Sequence, residues 1–566
     1  MPSSTGIILT ELENSRYLFG RGEAARASKA LAKAAAVQYE DVASLIRFHE
    51  ALLVLRAFPP SAAVLHRSEQ VLNTFWKRVK RLSESGADMD NFDPLEVSGI
   101  AGTAMQDALG LELASWLVQR LPGKVEIAWH DFDDERAMGA VWPRLMPLLE
   151  EDTLAEANIP WRRWLEAAQG RRSNGPAWLI ERFTEMRLPD VERARLYESL
   201  HMPIRWRLEN SRLSRTRNWR PVRRVFYHDG LLLTRKDVSL AEELARRPPD
   251  LRPLSLAAGA AVMDLIREVM LVRYRELYGT TLGDARSVVQ ADVGRGVSIY
   301  LWSLPAARRL PLRAYVAGLT LKNGVPINYI EAIGLFEWIE VGFNTFYTFR
   351  GGEVAWTFAQ VLRCLCHLTG ATCISMYPYQ LGHNNEEAIE SGAFWFYRKL
   401  GFRPGRLDLL RLVEREERRI ARDPKYRTPA RTLRRLAEGH AFYELPGSEA
   451  GAWNGFSTRN IGLRVNRRMA EKFGGDFERF KKAAAKRLTR LLSYPGKSEE
   501  ASGDRFGDFA MIAELIPELG SWSRGENKAL REIIRAKTGS DEMRYLHLLQ
   551  GHGRLREALL KLGSER

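Results

Sequence analysis

Residues 392–404 read Gly392-Ala393-Phe394-Trp395-Phe396-Tyr397-Arg398-Lys399-Leu400-Gly401-Phe402-Arg403-Pro404: a short aromatic helix, a glycine stop and an extended exit. A glycine just past a periodic run is a common way to end a helix. Upstream, the aromatic and β-branched run Trp338–Phe349 reads as a strand. It turns through Arg350-Gly351-Gly352 straight into an apolar helical pattern at 353–368. Glycines at a helix N-terminus expose backbone N–H groups that suit a phosphate. A phenol at Tyr397 suits proton donation to a leaving group.

The neighbouring segments extend this pattern. Val297–Trp302, Leu312–Leu321 and Val325–Phe336 have strand character, and Lys322-Asn323-Gly324 between the last two is a hairpin signal. With Trp338–Phe349 they predict an antiparallel meander. A short strand at Thr372–Tyr377, a helix at 385–400 and a strand at Arg406–Leu412 follow. A proline-rich hinge, Arg246–Pro253, precedes the meander, with a long helical pattern at 255–278.

In this order of elements, roughly residues 296–412 resemble the GNAT (N-acetyltransferase) superfamily. The family's pyrophosphate loop is Gln/Arg-x-x-Gly-x-Gly/Ala. Arg350 matches its first position and Ala355 its last, while Glu353 stands at the central glycine. The helix ending Tyr-x-x-x-Gly-Phe is matched by Tyr397–Phe402, with Ala393 in place and Glu390 at the usual asparagine. The resemblance implies an acyl-CoA-dependent N-acyltransferase using acetyl-CoA or another acyl-CoA as co-substrate, no metal, and an unidentified amine as acceptor. It implies that Arg350, Gly351, Gly352, Val354 and Ala355 hold the pyrophosphate. Backbone groups at Thr345, Phe346 and Tyr347 would pair with pantetheine as in strand augmentation. Tyr397 becomes the general acid, and Glu340 and Glu331 on adjacent strands become candidate bases. A carboxylate at 353 is expected to repel a phosphate placed beside it.

The flanks are helical in pattern. Residues 1–250 predict an irregular all-α domain, 251–412 the acyltransferase-like domain, and 413–566 a basic all-α region with a loop at Pro495–Gly503. The expected class is thus α+β: a mixed, mostly antiparallel sheet with packed helices between two all-α domains. A length of 566 residues suggests three or four domains. The net charge of +15 and pI of about 9.7 favour anionic partners.

The three cysteines, Cys364, Cys366 and Cys373, cluster within one short stretch and suit a reducing cytoplasm. Two residues apart on a helix, Cys364 and Cys366 point about 200° apart and do not share an ion easily, so packing is the expected role. The N-terminus has no signal-peptide pattern and no stretch reaches membrane-span length. Trp129–Glu135 gathers carboxylates around His130, as a capped helix start does. Arg205–Arg224 carries eight arginines interleaved with Trp206 and Trp219, a pattern that suits nucleic acid. The competing reading is a catalytically degenerate domain within a basic scaffold that binds nucleic acid or protein.

Overall fold

The computed structural model describes residues 4–20, 22–133, 135–146, 160–171, 175–492 and 504–564. The loop expected at Pro495–Gly503 falls outside the described residues. The protein is α+β, with two sheets.

Three short strands, β1 (Ala104–Asp107), β2 (Val125–Ile127) and β3 (Ile204–Arg207), form an antiparallel sheet in the order β1-β3-β2. The first 250 residues are therefore not the all-α domain that the sequence predicts. In β3, Ile204 and Trp206 are buried while Arg205 and Arg207 are exposed, the period-two alternation of a one-sided strand.

The second sheet has nine strands. In chain order they are β4 (Arg252–Pro253), β5 (Val289–Gly294), β6 (Val297–Ser303), β7 (Ala314–Lys322), β8 (Val325–Leu335), β9 (Trp338–Thr345), β10 (Cys373–Met376), β11 (Arg403–Pro404) and β12 (Ala441–Glu444). They lie in the order β11-β12-β10-β9-β8-β7-β6-β5-β4, antiparallel except for β9 and β10. A parallel pair needs a crossover, which the helix Val354–Thr369 supplies.

Three assignments are corrected. Arg406–Leu412 is not a strand but opens the helix Leu407–Arg422, which buries Leu409, Leu412, Val413 and Glu416 on one face. The sheet also reaches past 412, because β12 pairs with β10; the region after 412 is thus not all helical. The helix expected over 385–400 is interrupted at Gly392, whose φ is +68°.

The meander is built as its sequence dictates. Asn323 and Gly324 take φ of +47° and +80°, as a two-residue hairpin turn requires. The turn is fastened to the N-terminal region: Asn323 Nδ2 donates to Ala57 O and Phe226 O, both at 2.9 Å, and its Oδ1 accepts from Phe226 N at 2.8 Å. A Cβ at Gly324 would lie 1.8 Å from Arg220 O.

The sheet is covered on both faces. Val316, Ile330, Val341 and Phe343 pack with Phe358, Leu362 and Leu365 of the crossover helix. Tyr315, Leu319 and Ile327 pack on the other face with the helices Leu256–Leu271 and Val42–Ala57. Helices after 453 bury Trp338 against Trp453 and Phe456. Among the described residues no helix is long and apolar enough to cross a membrane.

Candidate functional site

β10 pairs with β9 from Cys373 opposite Trp338 to Met376 opposite Val341, and there the pairing stops. β9 runs on to Thr345, held on its other side by β8, while the chain after Met376 turns through Tyr377 into Pro378–Leu381. The divergence leaves a cleft of about 310 Å³. One wall is Phe343–Thr348; the facing wall includes Gln380, Asn385, Glu387 and Tyr397. Beyond Val341 the edge of β9 that β10 would cover offers its peptide groups to whatever enters.

Arg215, Arg273 and Arg275 line the cleft, from segments outside the sheet. Arg273 is 6% exposed; its Nη1 donates to Val269 O at 2.8 Å and its guanidinium lies 4.0 Å from the Phe346 ring centroid. Arg215 is 4% exposed, donates to Glu96 O and to Leu95 O, and lies 3.7 Å from Glu50. The Nε of each is buried without a partner. Burial, followed by the charge of Arg215, holds Arg273 well below the ordinary guanidinium range. Burial opposes charge on Glu50 too, but the hydrogen bond to His49 and the proximity of Arg215 hold it at about 2. One carboxylate therefore faces two buried guanidiniums, and an anion in the cleft would complete the pairing.

A buried polar row adjoins this wall. Thr320, Asn328 and Thr345 stand in register across β7, β8 and β9. Both amide atoms of Asn328 and the hydroxyls of Thr320 and Thr345 are buried without hydrogen-bond partners. Thr345 borders the cleft. Buried polar groups are usually satisfied, so these four atoms leave unmet hydrogen-bonding capacity beside the cleft, with Thr345 at its border.

Tyr397 also lines the cleft, packed among Phe358, Phe396 and Phe402. Its hydroxyl has no hydrogen-bond partner among the described residues, and burial pushes its pKa up, so the phenol stays protonated. Of the other residues expected from sequence, Thr345, Phe346, Tyr347, Arg350 and Val354 reach the cleft. Arg350 is taken up by Glu387 and stacks 3.9 Å from the Tyr347 ring centroid; Glu387 also accepts from Tyr347 Oη at 2.8 Å.

Gly351, Gly352 and Ala355 do not line the cleft. A Cβ at Gly351 would lie 2.7 Å from Tyr17 Cε2, and one at Gly352 2.7 Å from Phe58 Cζ, because the N-terminal region folds over this turn. Ala355, in the first turn of the crossover helix, is buried in the core. The expectation that Glu353 would repel a phosphate is also corrected: its carboxylate points into a buried cluster. There it accepts from Arg295 Nε at 3.0 Å and Leu233 N at 3.1 Å, with Lys322 Nζ 3.5 Å away.

Glu331 and Glu340 do not line the cleft but flank its closed end. Glu331 sits opposite Gly342, and Glu340 precedes Gly342 by one pleat on the same face. Glu331 accepts from Tyr315 Oη, and burial pushes its pKa up. Glu340 accepts from His440 Nε2 at 2.8 Å and lies 3.6 Å from Arg313. Tyr377 packs edge-on to His440 at 5.4 Å. Sequence reasoning missed His440, which no motif marks. Recognising Ala441–Glu444 as a strand beside β10 would have brought it to Glu340.

The arginine-rich segment is not a continuous exposed strip. Trp206 is core, Arg215 lines the cleft, and Trp219 lies under Arg56, 3.9 Å from ring centroid to guanidinium. Neither indole is an open stacking platform. Cys364 and Cys373 are buried, and burial pushes all three thiols up to about 12. Among the described residues no group of three metal-ligating side chains comes together.

No family model matches the chain, and no curated protein or solved structure is similar enough to count as a match.

Proposed function

We propose that the protein is an acyl-CoA-dependent N-acyltransferase of the GNAT type, with the β9–β10 cleft as its donor site. One observation carries the reading: an unpaired strand edge, two buried guanidiniums in charge excess and a buried unpartnered phenol meet in one cleft. An acyl-CoA has chemistry for each. Its amide-bearing pantetheine arm suits the β9 edge beyond Val341, its phosphates suit Arg273, Arg215 and Arg275, and its sulfur suits the phenol. The glycine turn is not needed for phosphate in this arrangement, since the arginines replace it.

In the transfer, the amine nitrogen bonds to the thioester carbonyl carbon and the carbon–sulfur bond breaks. The proton lost by the amine goes to the Glu340–His440 pair, and the proton of Tyr397 goes to the departing thiolate. Glu331, tied to Tyr315, shapes the acceptor side of Gly342. A second reading, a catalytically degenerate domain in a basic scaffold, is favoured by the covering of Gly351 and Gly352 by Tyr17 and Phe58, which closes the turn to phosphate.

Release of CoA thiol from acetyl-CoA, followed with a panel of amines, tests the proposal. Tyr397→Phe is expected to slow turnover about 100-fold or more while acetyl-CoA affinity holds. An undiminished rate in Tyr397→Phe removes Tyr397 as the acid, and binding with no turnover on any amine favours the second reading.

A further inference from the structure

A second, larger cavity lies between the helix Asp190–Glu198, the segment 276–282 and the helix Phe477–Leu491. Its volume is about 1,250 Å³. That exceeds the ~300–1,000 Å³ usual for small-molecule pockets and points to a segment of polymer.

The lining runs against the overall charge of the chain. Glu276 and Glu198 converge on Gly110: a Cβ there would lie 2.7 Å from Glu276 Oε1 and 3.2 Å from Glu198 Oε1. Glu276 Oε2 accepts from Gly110 N at 2.8 Å. Neither carboxylate has a cation at salt-bridge distance among the described residues, whereas Arg308 is taken by Glu112 at 2.7 Å. Desolvation and the neighbouring carboxylates push Glu276 up against the hydrogen bond from Gly110, and desolvation and Glu112 push Glu198 up against the charges of Arg195 and Arg308. Like charges held together are unfavourable, and Arg195 and Arg308 act on Glu198 without reaching salt-bridge distance, so a bound ammonium or guanidinium relieves the pair further.

Tyr197 supplies a separate observation. It is 2% exposed and lines the cavity, yet its hydroxyl has no hydrogen-bond partner among the described residues. A backbone carbonyl or a side-chain acceptor of an incoming segment would satisfy it. Val191, Tyr278 and Phe477 stand exposed at the rim, where lysine or arginine stems can pack on them and cations can lie over the rings.

We propose that this cavity is a docking site for a basic peptide segment, read by Glu198 and Glu276 through its cations and by Tyr197 through a polar group. The proposal goes beyond acyl transfer and is tested without acyl-CoA. The probe is a fluorescein-labelled octalysine, titrated against the full chain and followed by anisotropy, with octaglutamate as control. Saturable octalysine binding is expected, falling with added salt, and none for octaglutamate. Glu198→Gln with Glu276→Gln should weaken it at least tenfold, and Tyr197→Phe severalfold. Val191→Lys, an exposed rim change, should weaken it too even if Tyr197→Phe folds poorly. Glu414→Gln with Glu471→Gln, exposed acids on other helices, should leave it unchanged. Unaltered affinity in the Glu198/Glu276 and Val191 variants overturns the site, as does equal weakening by the Glu414/Glu471 pair. Displacement by spermidine at matching concentration overturns the peptide as occupant.

Discussion

His440 Nε2 donates to Glu340 at 2.8 Å, joining β9 to the residue just before β12 across a sequence separation of 100. A carboxylate only accepts, so the contact fixes the proton on Nε2. The imidazole is thereby oriented beside the end of the β9–β10 pairing, where transfer would occur. His440→Ala and Glu340→Gln should each lower turnover by about 10²-fold, the usual contribution of a positioned base. Acetyl-CoA affinity should be preserved, because neither side chain lines the donor cleft. Equal loss of affinity and turnover would place them in carrier binding instead.

The buried guanidiniums repel each other, with Glu50 the nearest carboxylate to offset them and Glu96 adding to it at Arg215. Replacing one by an apolar side chain removes a desolvated charge. Arg273→Met should therefore change the unfolding free energy without ligand by no more than about 1 kcal/mol, while weakening acetyl-CoA binding about tenfold or more. Chemical denaturation and ligand titration of the same preparation check both halves. A variant that loses several kcal/mol in the absence of ligand shows that Arg273 is structural.

Lys322 gives a pH signature. It is 1% exposed, donates to Arg295 O at 2.5 Å, and sits 3.5 Å from Glu353 between the rings of Phe58 and Phe226. Burial, aided by Arg295 and opposed by Glu353, lowers its pKa from 10.5 to about 8. Between those values the unfolded chain binds more protons than the folded one, so this group's contribution to stability rises with pH through the window. By linkage the rise is up to about 3 kcal/mol. Urea denaturation at pH 8 and at pH 10 should show an increment in wild type that Lys322→Met lacks.

Gly324 tests the clamp between the meander and the N-terminal region. Alanine there meets both a positive φ and Arg220 O at 1.8 Å. Gly324→Ala should lower stability by about 2 kcal/mol or more and reduce Tm by several degrees. An unchanged Tm means the Arg220 loop moves aside freely.

The meander over 297–345 is legible because its strands are long aromatic and β-branched runs and Asn323-Gly324 marks the turn. The Tyr397 helix is legible from its glycine stop, and the Arg350 turn from its glycines. Other elements are not. β12 is four residues long within a charged, helical context, and β3 lies in an arginine run whose alternation is easily taken for a basic strip. The arginine wall of the cleft is illegible because Arg215 and Arg273 belong to different segments and meet only through packing. Gly351 and Gly352 show the converse: their spacing suits a phosphate loop, but tertiary packing uses their missing side chains to admit Tyr17 and Phe58.

Isothermal titration of the full chain with acetyl-CoA, in parallel with Arg273→Met, tests the central claim most directly. One saturable site, weakened at least tenfold in the variant, is predicted. Absence of binding heat at millimolar acetyl-CoA, or equal affinity in the two proteins, would contradict the assignment of the β9–β10 cleft as a donor site.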